Sequence, residues 1–149
     1  MPHRPLPALR SSGDALVVNV SSAIALVGMP FYTTYAATKA AIAHFGEALR
    51  RELFDEGGRV LTVFPGATDT HMMETPKAGT VHGVDYESPE EVAASTILGI
   101  TDGSLTVMRG GETREEMITL NRNDPSAVDT MLNGLKPALE QAVAGHSSL

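Results

Sequence analysis

The chain has 149 residues, 42% apolar and 19% charged, a composition suited to one packed domain and unlike a fibrous or disordered segment. A formal net charge of -7 without any lysine and arginine cluster argues against a nucleic-acid partner, since affinity for a phosphate backbone rests on such clusters. Cysteine is absent, which excludes a disulfide framework, a thiolate nucleophile and a cysteine metal site. No apolar run approaches the roughly 20 residues of a membrane span, so the chain reads as soluble and cytoplasmic, with no membrane partner.

Residues 15–20 (ALVVNV) form a β-branched, almost continuous apolar run, the pattern of a parallel strand covered on both faces. Over residues 33–54 the period changes: Ile42, Phe45, Leu49 and Leu53 recur at helical spacing and predict an amphipathic helix ended by Gly57-Gly58. A second apolar run at 60–64 (VLTVF) stops at Pro65-Gly66, where a ladder cannot continue and the chain can turn. Strand, helix, strand at this spacing is a βαβ unit with parallel strands. Residues 67–87 show no sustained period and read as a lid-like loop. Ser88-Pro89-Glu90-Glu91 is a capping box, and Val92, Ala93, Thr96, Ile97 and Ile100 give the next helix its apolar stripe. Residues 105–108 alternate as a third short strand ended by Gly110-Gly111. A helical C-terminal extension follows over 112–149, with starts expected at Thr113 and Asp124, a break or kink near Pro137 and fraying from Gly145. The expected fold is α/β: a three-layer parallel sheet forming part of a Rossmann-like domain.

Tyr35 and Lys39 lie four apart on the first long helix and therefore project from one face about a turn apart. A phenol with an ordinary pKa of about 10 is a poor acid-base group at neutral pH, and a nearby ammonium favours its anion. Ser22 sits just past the carboxyl end of the first strand, where open α/β sheets bind ligands. Its hydroxyl suits a developing negative charge on a carbonyl oxygen. Taken singly, each of these is an ordinary helix pair, strand-end cap or turn.

Together and in order, Asn19-Val20-Ser21-Ser22, Gly28, Tyr35-Ala36-Ala37-Thr38-Lys39, Gly46 and Pro65-Gly66-Ala67-Thr68-Asp69-Thr70 resemble the short-chain dehydrogenase/reductase family. The resemblance covers residues 6–70 and, by element order, extends to about Gly111. It implies an enzyme that moves hydride between NAD or NADP and a small-molecule carbonyl or alcohol, with Ser22, Tyr35 and Lys39 catalytic. It implies that Ser22 polarises the substrate carbonyl, that Tyr35 gives or takes the proton, and that Lys39 also bonds the nicotinamide ribose. Pro65, Gly66 and Thr68 would border the nicotinamide, and Thr70 would approach its amide or pyrophosphate. Met72 and Met73 would touch substrate. A homo-oligomer through the Tyr35/Lys39 helix is a further expectation.

The family also begins with a strand, a glycine-rich phosphate-binding turn and a helix, and none of these is in this sequence. The chain therefore reads as the C-terminal part of such a domain, with residues 6–12 ending a helix and the first strand left as an open edge. Isolated, it is expected to be inactive or severely impaired. The alternative from another class is a non-catalytic fragment or interaction module that folds by association. A metal site built on Asp69, His71, Glu74, His82 and Asp85 follows no ligand spacing, and a serine hydrolase lacks its nucleophile elbow around Ser22, so no metal is expected.

Overall fold

The computed structural model describes residues 6–71 and 86–144. Strands β1 (Ala15–Val20), β2 (Gly58–Phe64) and β3 (Thr106–Met108) form one parallel sheet in the order β1-β2-β3. Register is set by partners such as Val17 with Val60, Val20 with Val63 and Phe64 with Met108. The helices are α1 (Leu6–Ser12), a 3₁₀ turn (Ala23–Ala25), α2 (Thr33–Glu52), α3 (Pro89–Thr101), α4 (Gly111–Asn123) and α5 (Pro125–Val143). In the central strand β2 the residues from Val60 to Phe64 are all buried.

Alternation along β2 sorts the helices into layers. On the Val60 and Thr62 face, Leu6 of α1 and Leu49 and Leu53 of α2 pack with Val60, flanked by Leu9 and Val17. Full burial of a leucine there contributes about 1.5–3 kcal/mol. On the Leu61 and Val63 face, Gly99 of α3 lies against Leu61 and Val107. The three layers expected from the sequence are therefore present. Strand order follows the chain, yet α2 and α3 cross on opposite faces, so the two crossovers have opposite hands. Only one of them can obey the right-handed preference of parallel connections.

Two apolar stripes differ from expectation, for one reason. In α2, Leu49 and Leu53 are buried but Phe45 is 43% exposed, because Gly46 makes the closest approach: a Cβ there would lie 2.4 Å from Thr62 Oγ1 and 2.7 Å from Asn19 Nδ2. In α3, Ile97 is 62% exposed, and Gly99 makes the contact, with space for a Cβ only 2.4 Å from Val107 Cγ2. Glycine adds nothing to an apolar period but permits the tightest packing.

Helix ends differ in detail. Helix α2 closes at Glu52, with Leu53 as its cap, and the turn to β2 uses Asp55 at φ 65° and Gly57 at φ 73°. The Ser88 capping box and the Asp124 cap form as expected. The start expected at Thr113 does not: Gly110, at φ 106°, is the N-cap of α4 three residues earlier, without a side-chain cap bond. Helix α5 runs unbroken through Pro137. Helices α4 and α5 pack together over the loop after the first strand, where Val27, Val128 and Leu132 form a second core with Met29, Met117, Ile118 and Leu135.

Candidate active site

The site lies where β1 and β2 end. Past Val20 the chain stays beside β2, since the Ser21 N–H donates to Val63 O at 2.8 Å and the Ala23 N–H to Pro65 O at 2.9 Å. Ser22, between them, is extended (φ -166°, ψ 155°) and half-buried. Its Oγ accepts from the Ile24 N–H at 3.4 Å, which leaves its own hydroxyl proton to donate. The strand tip and the Pro65-Gly66 turn are thus one bonded unit.

Helix α2 is fastened to the same tip through Lys39. The buried Ser21 hydroxyl donates to the Lys39 carbonyl at 2.7 Å, and the Lys39 ammonium donates to Val20 O at 3.3 Å. The ammonium also lies 5.6 Å from the Tyr35 ring centroid, within cation–π range. Lys39 thus links the Tyr35 ring to the end of β1, and Ser22 follows that strand end along the chain. Tyr32, one turn before Tyr35, caps α2, and burial followed by the nearby Tyr86 raises its phenol above the usual pKa of 10.0. That phenol resists ionisation, and the Lys39 ammonium lies over the ring of Tyr35.

Pro65, Gly66 and Thr68 occupy the neighbouring turn, where the Thr68 hydroxyl donates to Gly66 O at 3.3 Å. Thr70 follows on the exposed side of the turn. Met72 and Met73 lie outside the described residues, as do most of the 67–87 loop and Glu74, His82 and Asp85 of the imagined metal site. Sequence reasoning missed Ser21, read as an ordinary turn residue, and the Glu87–Arg109 ion pair at 2.7 Å beneath Gly66. Partners 18 and 22 residues apart leave no periodic trace.

Comparison with known proteins places this arrangement. The short chain dehydrogenase family profile matches residues 3–80, just over half of the chain. The chain is 35% identical over 108 residues to 3-oxoacyl-(acyl-carrier-protein) reductase FabG of Chlamydia trachomatis, covering 68% of this chain and 42% of that protein. Oxidoreductase SadH of Mycobacterium tuberculosis is 31% identical over 124 residues, covering 73% of this chain and 44% of its own. A short chain dehydrogenase from Burkholderia cenocepacia, solved in complex with NADP, superposes with a TM-score of 0.68 at 27% identity, over 85% of this chain and 50% of its own. The chain spans half or less of the length of these relatives. With the profile match and the shared parallel sheet, it belongs to the short-chain dehydrogenase family of oxidoreductases.

Proposed function

We propose that this site is the reactive half of a nicotinamide-dependent oxidoreductase, reducing a carbonyl or oxidising an alcohol of a small molecule through Ser22, Tyr35 and Lys39. The observation that carries the reading is the double fastening of Lys39 to the β1 tip, with its ammonium over the Tyr35 ring and Ser22 just past the end of that strand. When bound, the nicotinamide supplies or accepts the hydride. Ser22 donates its hydroxyl proton in a hydrogen bond to the substrate oxygen and holds the charge that develops there. Tyr35 gives its proton to that oxygen in reduction and takes one in oxidation. Lys39 stabilises the negative charge left on the phenol.

The residues fit one end of the cofactor. Lys39 spends one of its three donors on Val20 O, leaving others for a ribose hydroxyl, and the bonded turn at Pro65, Gly66 and Thr68 offers backbone groups to a carboxamide. Thr70 extends that border. Met72 and Met73 enter as substrate contacts on the resemblance alone, within a loop at 67–87 that would cover the substrate. For the pyrophosphate the sequence has no glycine-rich turn, and NAD and NADP stay equivalent. The NADP in the Burkholderia relative supports a nicotinamide nucleotide in general.

Two constructions test this. The 149-residue chain is expected to oxidise neither NADH nor NADPH with any carbonyl substrate. A chimera preceded by the N-terminal half of the Burkholderia relative is expected to do so, with Tyr35→Phe lowering the rate about 10²–10⁴-fold. A folded, cofactor-binding chimera indifferent to Tyr35→Phe contradicts the assignment. The open side of β1, with Val18 36% and Val20 55% exposed, favours a second reading for the isolated chain, a fragment that associates. Exposed Phe45 on α2 supports a homo-oligomer through that helix.

A further inference from the structure

Glu87 and Arg109 are absent from the triad chemistry, yet they sit directly beneath the turn that it uses. The Glu87 side chain is only 12% exposed, and each of its oxygens has a separate task. Oε1 accepts from the Gly66 N–H at 2.8 Å, and Oε2 accepts from Arg109 Nε at 2.7 Å. Arg109 is itself held by Ser95 Oγ of α3 at 3.0 Å and by its own N–H to Phe64 O at 3.1 Å. The Glu87 backbone forms a parallel bridge with Thr68, with its N–H donating to Ala67 O at 2.9 Å and its carbonyl accepting from the Asp69 N–H at 3.0 Å. A single residue therefore grips the turn by side chain on one side and by main chain on the other. Gly66 leaves room for this, since a Cβ there would stand 3.2 Å from Glu87 Oε1. The second guanidinium facing this carboxylate is Arg114, whose pKa burial depresses while Glu87 opposes that change.

From Glu87 the bonds continue to the reactive groups. Gly66 follows Pro65, whose carbonyl accepts from the Ala23 N–H, and Ala23 follows Ser22. An uncompensated carboxylate at this depth would be costly, and charge-assisted bonds of this kind are shorter and stronger than neutral ones. We infer that Glu87, tied down by Arg109, is a positioning residue that fixes the Pro65–Thr68 turn against Ser22 so that the turn can receive the nicotinamide end of the cofactor. The inference rests on the function proposed above.

The test uses the whole chain and reduced nicotinamide mononucleotide, a probe that lacks the adenylate half for which no motif is present. Amide hydrogen exchange is followed by NMR in the wild type, Glu87→Ala and Glu87→Gln, alongside the affinity for the probe. In Glu87→Ala, exchange at Gly66 is expected to rise about tenfold, as for loss of one charged hydrogen bond, with Leu61 and Val63 of the sheet unchanged. Probe affinity is expected to fall by a similar factor. Glu87→Gln keeps an oxygen for the Gly66 N–H but turns an amide NH2 toward the Arg109 donors, so it should fold and restore both signals only in part. If Glu87→Ala binds the probe as tightly as wild type, the positioning role is overturned and the proposed function stands. If the wild type does not bind the probe, both are overturned. If exchange rises equally at Leu61, Val63 and Gly66, Glu87 serves general stability and the inference also fails.

Discussion

Ser21 and Ser22 are adjacent and chemically identical, but their surroundings give them different work. Ser21 is 2% exposed and spends its proton on the Lys39 carbonyl, whereas Ser22 keeps its proton at the rim. Ser21→Ala should therefore cost about 1–3 kcal/mol of stability, because it removes a buried hydrogen bond that ties α2 to β1. Denaturant unfolding reads this directly, and a change near zero would mean that the fastening is slack. Tyr32 gives a second expectation. Its phenol is raised by burial and by Tyr86, so the folded chain holds that proton longer than the unfolded chain. The stabilisation is complete below the ordinary pKa of 10.0 and is lost as pH climbs through the higher folded value. Tyr32→Phe should flatten the alkaline fall in melting temperature relative to wild type; an unchanged slope would show another group responsible.

At the level of elements, the strands and the α2 helix were legible because apolar β-branched runs and a helical period write themselves into the residues, although only β2 is buried on both faces, Val18 and Val20 of β1 being exposed. The contact points were not: Phe45 and Ile97 fit a stripe but face outward, since Gly46 and Gly99 bring the backbones together. Replacing Gly99 by Ala should lower stability by about 1–3 kcal/mol through overpacking against Val107, measured by thermal or denaturant unfolding. No loss would mean that α3 can step away from the sheet. The α3 cap has a pH signature. The Ser88 N–H, followed by the Ser88 hydroxyl, lowers the Glu91 pKa below its usual 4.5, so the cap contributes above that value and is lost as pH falls through the folded value. Glu91→Gln should remove this acid-side loss of α3 amide protection, as read by hydrogen exchange across the acid range.

For the whole molecule, the chain order of motifs identified the family and the layered sheet, while the tertiary role of the C-terminal helices stayed hidden. Helices α4 and α5 are amphipathic on their own, and only the folded chain shows that Val128 and Leu132 cover Val27, in the loop between Ser22 and Tyr35. Under the proposed function, the tip of β1, α2 and the Pro65-Gly66 turn would receive the nicotinamide end of the cofactor, and the sequence has no glycine-rich turn for its pyrophosphate. A ligand reduced to the part that these residues can hold is therefore the most direct probe. Titrating reduced nicotinamide mononucleotide into isotopically labelled chain should shift amides at Ser22, Tyr35, Lys39, Gly66 and Thr68 together, with Lys39→Met weakening the effect. Shifts confined to other surfaces, or none at millimolar ligand, would contradict the site.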